Sequence, residues 1–522
     1  MELLRALQDP TTGRPHLGRA WFSEARFGGD ASFDWVTFTG DASFDWARFT
    51  GNARFDRATF TGNASFSRAR FTGNAWFGGA RFTGNAWFGG ARFTGSARFN
   101  VTRFTGNAWF NEARFTGEAS FNAARFTGDA RFDDAVFRAH GIFVGAWFEQ
   151  TRQFGPLLAH RELVLDEAQF LQPVQIEVST IKLSCRRARF PGGVQLRLRW
   201  ARVVLDDTDF PAPSILTGIP RLAGSRMSAQ ERRSARAWPS LLGEEISERP
   251  QLLSLRRANV AGLRLSNITA ADCLFTGAHN LDKLRLEAGV GFTTTSAPER
   301  GPRSWDWRQV IAEERAWRAA RSRRWATWLP RWAAAVLDRP FRSLRWVAPH
   351  WPEWFDQPKS GDLNPGQIAA VYRALRKGRE DAKDEPGAAD FYYGEMEMRR
   401  CARPAAGIPV DGRSNRGRVE RCVLTAYWLV SGYGLRAWRA LAWLIAVTAM
   451  LALVFHLVGF TSPPQPVSYW TSLLYALRAT LSLADSEVTL TAWGKLLQAV
   501  LRLTGPVLLS LALLALRGRV KR

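Results

Sequence analysis

Phenylalanine recurs near the start of the chain at intervals of five and six residues in strict alternation. The series contains 24 Phe between Phe22 and Phe148, and Ala stands two positions before the Phe in 21 of the 24 cases. Neither the 3.6-residue period of a helix nor the two-residue period of an ordinary strand produces this spacing. So short a unit can bury its Phe only by stacking on copies of itself, so the pattern predicts a solenoid of short strands.

The residue between each Ala and Phe is predicted to point outwards, because side chains alternate along a strand. Arg often stands there, as in Arg26 and Arg48, and Thr-Gly or Gly-Gly often follows the Phe. Since glycine tolerates a positive φ, these pairs are predicted to form corners. Four faces would give a coil of 22 residues, with every Phe of the series inside it.

These units resemble the pentapeptide-repeat family, in which a small residue stands two positions before a central Phe or Leu. The resemblance implies a right-handed quadrilateral β-helix over residues 20–154. Phe170, Phe190 and Phe210 then recur at intervals of 20, each after an apolar strand, and five-residue spacing returns at Leu255. We therefore expect irregular β-helix coils over 155–295, with an insertion near 218–250.

Two long apolar stretches near the end of the chain predict a transmembrane hairpin over residues 437–516. Residues 440–460 and 496–516 are each long enough to cross a bilayer, and only His456 and Arg502 in them are ionisable. Arg and Lys are concentrated before the first stretch and after the second, so both termini are predicted to be cytoplasmic. No apolar signal segment follows Met1. The expected location is the cell (inner) membrane, multi-pass, with residues 461–491 outside.

Residues 469–483 are largely apolar but too short to span, which favours a re-entrant or interfacial half-helix. Two spans around a half-helix resemble the potassium-channel pore module, with the pore-loop-like segment at 468–485. The residues at the filter position are Thr480, Leu481, Ser482, Leu483, Ala484 and Asp485. Ser482 and Ala484 replace the filter glycines, so potassium selectivity is not implied. A simple interfacial anchor is the alternative.

Gly505 and Pro506 form a candidate hinge within the second span, because Gly and Pro weaken the helical hydrogen-bond ladder. A packing kink is the alternative interpretation. Ser431-Gly432-Tyr433-Gly434 also contains the Gly-Tyr-Gly of a potassium filter. No apolar span precedes it, so we interpret it as a break before the first span.

Residues 303–436 predict an Arg- and Trp-rich juxtamembrane helical region, with nine Trp between 303 and 354. These rings would lie at a bilayer surface or pack on the end of the β-helix, and the sequence leaves both open. Asn364 precedes an amphipathic helix, and the motif at 389–400 (ADFYYGEMEMRR) looks like the juxtamembrane block of bacterial pentapeptide-repeat proteins with a two-span tail.

The chain lacks the common catalytic and nucleotide-binding motifs, so we expect no enzyme activity, cofactor or metal site. Glu395 and Glu397 would point to different sides of a helix, and Glu314 with Arg318 predicts a surface ion pair.

The net charge is +24, yet residues 1–150 carry only +3, so the repeats do not predict nucleic-acid binding. The expected partners are the lipid bilayer, further copies of the chain through the transmembrane module, and a protein on the β-helix faces. The sequence predicts either a channel-like membrane protein with a cytoplasmic pentapeptide-repeat scaffold, or a membrane-tethered scaffold without conductance.

Overall fold

The computed structural model describes residues 15–219, 249–287, 289–295, 308–328, 349, 351–352, 354–358, 363–402, 413–459, 469–480 and 490–520. The chain divides into two units. The first comprises Met1–Leu363 and Lys377–Lys383, and the second comprises Asn364–Arg376 and Asp384–Arg522. The first is a β-solenoid of about 11 turns with a helical cap, and the second is helical.

Short parallel strands form the four faces of the regular solenoid. Successive strands of one face lie one coil apart in register. The first face contains β1 (His16–Leu17), β5 (Thr37–Phe38), β9 (Thr59–Phe60), β13 (Arg81–Phe82), β17 (Arg103–Phe104), β21 (Arg125–Phe126), β25 (Trp147–Phe148) and β27 (Gln169–Phe170). The second contains β2 (Ala20–Trp21), β6 (Ala42–Ser43), β10 (Ala64–Ser65), β14 (Ala86–Trp87), β18 (Ala108–Trp109) and β22 (Ala130–Arg131).

The remaining two faces follow the same rule. The third contains β3 (Arg26–Phe27), β7 (Arg48–Phe49), β11 (Arg70–Phe71), β15 (Arg92–Phe93), β19 (Arg114–Phe115) and β23 (Val136–Phe137). The fourth contains β4 (Ala31–Ser32), β8 (Ala53–Arg54), β12 (Ala75–Trp76), β16 (Ala97–Arg98), β20 (Ala119–Ser120) and β24 (His140–Ile142).

The core is a set of stacked Phe rings, as the period predicts. Phe66, Phe88 and Phe110 lie directly over one another, with ring centroids 5.0 and 4.8 Å apart. Rings of opposite faces also meet edge to face, as Phe88 of the second face does with Phe99 of the fourth face at 5.3 Å. Of the 24 Phe, 22 are buried. Phe22 and Phe27 are partly exposed because they lie in the first coil that the structure describes.

The corners lie where the glycines predict them, but the reason given for the Thr-Gly corners is wrong. The backbone of Gly84 does not adopt a positive φ; instead, a Cβ added there would lie 2.5 Å from the carbonyl oxygen of Gly62 in the preceding coil. Close approach between coils therefore selects glycine. The prediction is confirmed at the Gly-Gly corners, where Gly79 and Gly90 have a positive φ, and bulky corner residues such as Trp46 share this conformation.

The coils lose their regularity after Phe148, where two faces merge into one strand. β26 (Gln153–Val164) pairs with both β23 and β24. Phe170, Phe190 and Phe210 continue one stack at centroid distances of 5.7 and 6.0 Å. The later strands are β28 (Val174–Ser184), β29 (Val194–Arg199), β30 (Arg202–Val204), β31 (Ser214–Gly218), β32 (Gln251–Ser254), β33 (Leu263–Ser266) and β34 (Arg285–Leu286), with a 3-10 turn at Leu281–Lys283. Residues 220–248 lie outside the described part.

A hairpin of β35 (Thr293–Thr294) and β36 (Gln309–Val310) leads into helix α1 (Ala312–Trp328), which covers the last coils. Val204, Leu253, Leu274, Ala312 and Phe355 form one buried cluster there, with Trp351 packed against it. The Trp351 indole donates to the carbonyl oxygen of Asp272 at 2.8 Å. This ring therefore packs on the β-helix, as one of the two sequence interpretations predicts.

The remaining helices are α2 (Pro365–Asp381), α3 (Glu385–Cys401), α4 (Arg413–Ser431), α5 (Ala437–Val454), α6 (Tyr469–Thr480) and α7 (Ala492–Val520), with a π-helical turn Phe455–Gly459 after α5. Asn364 caps α2 by accepting from the Gly366 amide at 2.9 Å. The predicted apolar face of α2 is buried at Ile368, Val371, Tyr372 and Leu375.

Candidate functional site

A column of five arginines runs along the third face of the β-helix, and we call it the arginine ladder. It consists of Arg26, Arg48, Arg70, Arg92 and Arg114, paired in register through strands β3, β7, β11, β15 and β19. All five are exposed. The Phe rings beneath them are 4.6 to 4.9 Å apart, which sets the spacing of the strands that carry the guanidinium groups.

The ladder is poorly compensated within the chain. Arg26, Arg48, Arg70 and Arg92 form no ion pair with any residue that the structure describes. Arg68, at the neighbouring corner, adds a further positive charge and stacks on Trp46 at 4.8 Å. Since like charges opposite each other destabilise a sheet, the column gives no evident benefit to folding.

The opposite face carries a shorter arginine column with a different environment. Arg81, Arg103 and Arg125 pair in register through β13, β17 and β21. Arg125 donates to Glu149 at 2.6 Å, and its guanidinium lies 5.3 Å from the Trp147 ring. This column is therefore neutralised at one end.

A buried carboxylate attaches α1 to the β-helix. Glu313 accepts from the backbone amides of Phe275 and Thr276 and from the Thr276 hydroxyl, while its second oxygen has no partner among the described residues. Burial raises the pKa of Glu313 to about 7. The neighbouring Glu314 pairs with Arg318, as predicted, but also with Arg308 at 2.5 Å, and it is fully buried. The predicted surface ion pair is therefore an interior one, because α1 is covered on this side.

A second buried network joins α3 to the turn after α4, and we call it the elbow. Tyr433 is 1% exposed, and its hydroxyl donates to Glu397 at 3.0 Å. Arg400 donates to Glu397 at 2.8 Å and to the Tyr433 hydroxyl at 3.2 Å. Burial, reinforced by Glu397, raises the pKa of Tyr433, so its hydroxyl keeps its proton.

The Gly-Tyr-Gly sequence of the elbow is a tight turn. Gly432, Tyr433 and Gly434 all have positive φ angles of 55°, 61° and 74°. The Tyr433 side chain points into the helical unit, where it meets Tyr393 edge to face at 5.1 Å. This turn lies between α4 and α5, in agreement with its interpretation as a break.

The two acidic residues of α3 belong to separate sites, as their spacing predicts. Glu395 lies 2.9 Å from Arg373, 3.4 Å from Arg376 and 3.8 Å from Arg399, whereas Glu397 belongs to the elbow. Each carboxylate has cationic partners and neither faces the other as an acid–base pair.

The short helix α6 packs between α5 and α7. Leu451, Ala452, Phe455, Tyr475, Ala476, Ala479 and Leu501 form the buried cluster of these helices. Gly505 of α7 lies against the end of α6, since a Cβ added to it would lie 2.5 Å from the Thr480 carbonyl oxygen. Pro506 is exposed, and α7 continues through both residues of the candidate hinge.

Of the candidate pore-loop residues, the structure describes only Thr480. Thr480 is 6% exposed, and its hydroxyl donates to the carbonyl oxygen of Ala476 at 2.8 Å. Leu481, Ser482, Leu483, Ala484 and Asp485 lie outside the described residues. Their role remains a prediction.

One helix in the described residues, Trp438–Leu457, is long and apolar enough to cross a membrane. Its 20 residues have a mean hydropathy of 2.3, and 28% of the most apolar window is buried. The second predicted span, 496–516, lies within the 29-residue helix α7, which exposes Leu496, Val500, Leu503, Val507 and Leu513. The two-span hairpin therefore remains a prediction.

Sequence reasoning missed the elbow and Glu313, whose partners are 36 and 38 residues away along the chain. No periodic signal links such distant positions. In the part of the chain that the structure describes, no group of three or more His, Cys, Asp or Glu residues could hold a metal ion.

Comparison with known families identifies the regular part of the solenoid. Residues 14–59, 55–103 and 102–147 match the family described as pentapeptide repeats (nine copies). Neither the comparison with curated proteins nor that with solved structures found a match.

Proposed function

From the pentapeptide repeats that the chain carries, we propose that the protein is a non-enzymatic, membrane-tethered scaffold whose arginine ladder docks an acidic segment of a partner protein. The observation that carries the proposal is the in-register ladder, in which Arg26, Arg48, Arg70 and Arg92 form no ion pair with any described residue. A fixed row of guanidinium groups suits carboxylates, because each guanidinium presents its donors in a planar fork.

The membrane part of the proposal rests on α5 and its surroundings. Large apolar side chains such as Leu441, Ile445, Met450 and Leu453 are exposed along α5. Exposed leucine and isoleucine over this length favour a lipid environment. The helix α7 is about 43 Å long at 1.5 Å per residue, which is enough for a second crossing.

We expect charge reversal on the ladder to weaken binding of an acidic probe. In the purified full-length chain, Arg70→Glu with Arg92→Glu should lower the affinity for a fluorescein-labelled ten-residue polyglutamate by at least about tenfold, because several charge-assisted contacts are lost. Fluorescence anisotropy at fixed salt measures the change.

The matched control is Arg81→Glu with Arg103→Glu, which makes the same change in net charge on the opposite face. Its affinity should stay within about twofold of the wild type, since the ladder is unchanged. Equal losses in both variants would contradict a ladder-specific site. If a single-stranded oligonucleotide binds the ladder as tightly as polyglutamate does, the choice of a protein partner would be contradicted.

A second candidate function is a pore, favoured by the packing of α6 between α5 and α7 and by the close contact of Gly505 with Thr480. A hairpin supplies only part of a pore wall, so conduction would need several copies. In this case the tail is an oligomer around the 468–485 segment, and α6 is the half-helix of a channel-like module.

Measuring which residues face the outside of the cell distinguishes a membrane-spanning helical unit from a water-soluble one. In a chain lacking its four native cysteines, we expect a membrane-impermeant maleimide to label Cys introduced at Ser486 but not at Ser414 in intact cells, because the basic flanks stay inside. The reverse pattern contradicts this topology, and labelling at neither site together with release from membranes contradicts the tether. Flux of potassium or sodium into vesicles containing the chain favours the pore, and its absence favours the scaffold.

A further inference from the structure

An apolar groove lies between α4 and the first turns of α5. Its volume is about 340 Å³, within the range of small-molecule sites. It is lined by Trp428, Leu429, Trp438, Arg439, Ala442, Trp443 and Ala446. The two alanines are exposed, and their small side chains leave room between the indole rings.

Among the described residues that line the groove, Arg439 is the only charged one. Its guanidinium lies 4.9 Å from the Trp428 ring and 5.5 Å from the Trp438 ring, and it donates to the carbonyl oxygen of Trp428 at 3.3 Å. No described residue forms an ion pair with it. An arginine has five N–H donors, so this geometry leaves most of them for an anion.

Two of the three indoles that line the groove are held by hydrogen bonds. Trp443 donates to the carbonyl oxygen of Leu429 at 3.1 Å, and Trp428 donates to the hydroxyl of Tyr393 at 3.2 Å. The groove is therefore an open apolar surface with two fixed indoles and one cation, Arg439.

Its position matches a membrane boundary. The groove residues of α5 lie in the first nine residues of the candidate span Trp438–Leu457. Trp and Arg are characteristic of the level where lipid headgroups meet the hydrocarbon core.

We propose that this groove binds one anionic phospholipid, whose phosphate pairs with Arg439 and whose acyl chain lies along Ala442 and Ala446 between the indoles. This inference rests on the proposed membrane tether. Charge complementarity favours a lipid over the apolar helix of a second copy, because an apolar helix would leave Arg439 unpaired.

Native mass spectrometry of the full-length chain in phospholipid-free detergent tests the site. On titration with dioleoyl phosphatidylglycerol or dioleoyl phosphatidylcholine, the wild type should bind one phosphatidylglycerol about tenfold more tightly, because the choline cation of phosphatidylcholine offsets the attraction of its phosphate to Arg439. Arg439→Gln should remove this preference. Ala446→Trp should fill the groove and prevent binding of both lipids there, whereas Ile445→Trp, at an exposed neighbouring position outside the groove lining, should bind as the wild type does.

Equal binding of the two lipids, or an unchanged preference in Arg439→Gln, would overturn the lipid site. If the chain is a dimer that Ala446→Trp dissociates without changing lipid binding, the groove binds a second copy of the chain. This result would also overturn the lipid site. Alkaline extraction of cell membranes tests the tether separately. A wild-type chain that stays in the membrane but shows no headgroup preference refutes the lipid site alone, and a chain released into the supernatant refutes the tether.

Discussion

Replacing Phe88 by Ala should destabilise the β-helix by about 3–5 kcal/mol, because it opens a cavity in the middle of a ring stack. Phe88 is fully buried, and its ring lies 5.0 Å from Phe66 and 4.8 Å from Phe110. Neighbouring coils are held by these stacks and by backbone hydrogen bonds, so they have limited freedom to collapse into the space. Amide hydrogen exchange in strands β10, β14 and β18 should accelerate by about two to four orders of magnitude.

Phe22→Ala provides the matched control at the end of the same stack. Phe22 is partly exposed and has a stacked neighbour on one side, Phe44 at 5.0 Å. Its removal should cost only about 1 kcal/mol, since less buried area is lost and no enclosed cavity forms. Similar losses for both variants would mean that the rings do not stabilise the solenoid through enclosed stacking.

The Phe period could predict the solenoid because one physical requirement acts on every coil. Each ring must lie on the ring 22 residues earlier, as Phe49 lies on Phe27. The requirement for a Phe at this position therefore recurs in every coil and is visible in the sequence. The outward Arg positions follow from the same alternation, and with them the arginine ladder. The glycines at the Thr-Gly corners were misread because the sequence does not reveal whether a position needs a positive φ or close backbone approach, as Gly84 does.

The helical unit shows why the buried contacts outside the repeats could not be predicted from the sequence. Glu397 and Tyr433 meet across 36 residues, and neither belongs to a repeated pattern. The sequence shows Tyr433 only as part of a Gly-Tyr-Gly motif. Which residues the Tyr433 side chain contacts depends on the conformation of the turn around it. The likeness to a pore module concerns the segment 468–485, of which the structure describes only residues 469–480.

Replacing Glu397 by Gln should open the elbow, because it leaves the Arg400 guanidinium without its carboxylate and weakens the acceptor of the Tyr433 hydroxyl. Removing one partner of a buried ion pair costs about 3–5 kcal/mol, and we expect about 3 kcal/mol here. We expect the lower value because the pair is only partly shielded from solvent: the Arg400 side chain is 23% exposed and the Glu397 side chain is 9% exposed. Hydrogen exchange of the amides in α3 and in the turn at 431–435 measures the local opening free energy.

Glu420→Gln removes the same charge from an exposed pair that also involves α3. Glu420 lies 2.6 Å from Arg399, and their side chains are 50% and 37% exposed. A solvated pair of this kind contributes about 0–1 kcal/mol, so exchange in α3 should change by less than about fivefold. The contrast between the two variants isolates burial from charge, because both substitutions convert one Glu to Gln. Equal effects would show that the elbow is no more than another surface ion pair. A large effect of Glu397→Gln alone would establish that the buried network fixes the left-handed turn at Tyr433, and hence the geometry of the chain where it enters α5.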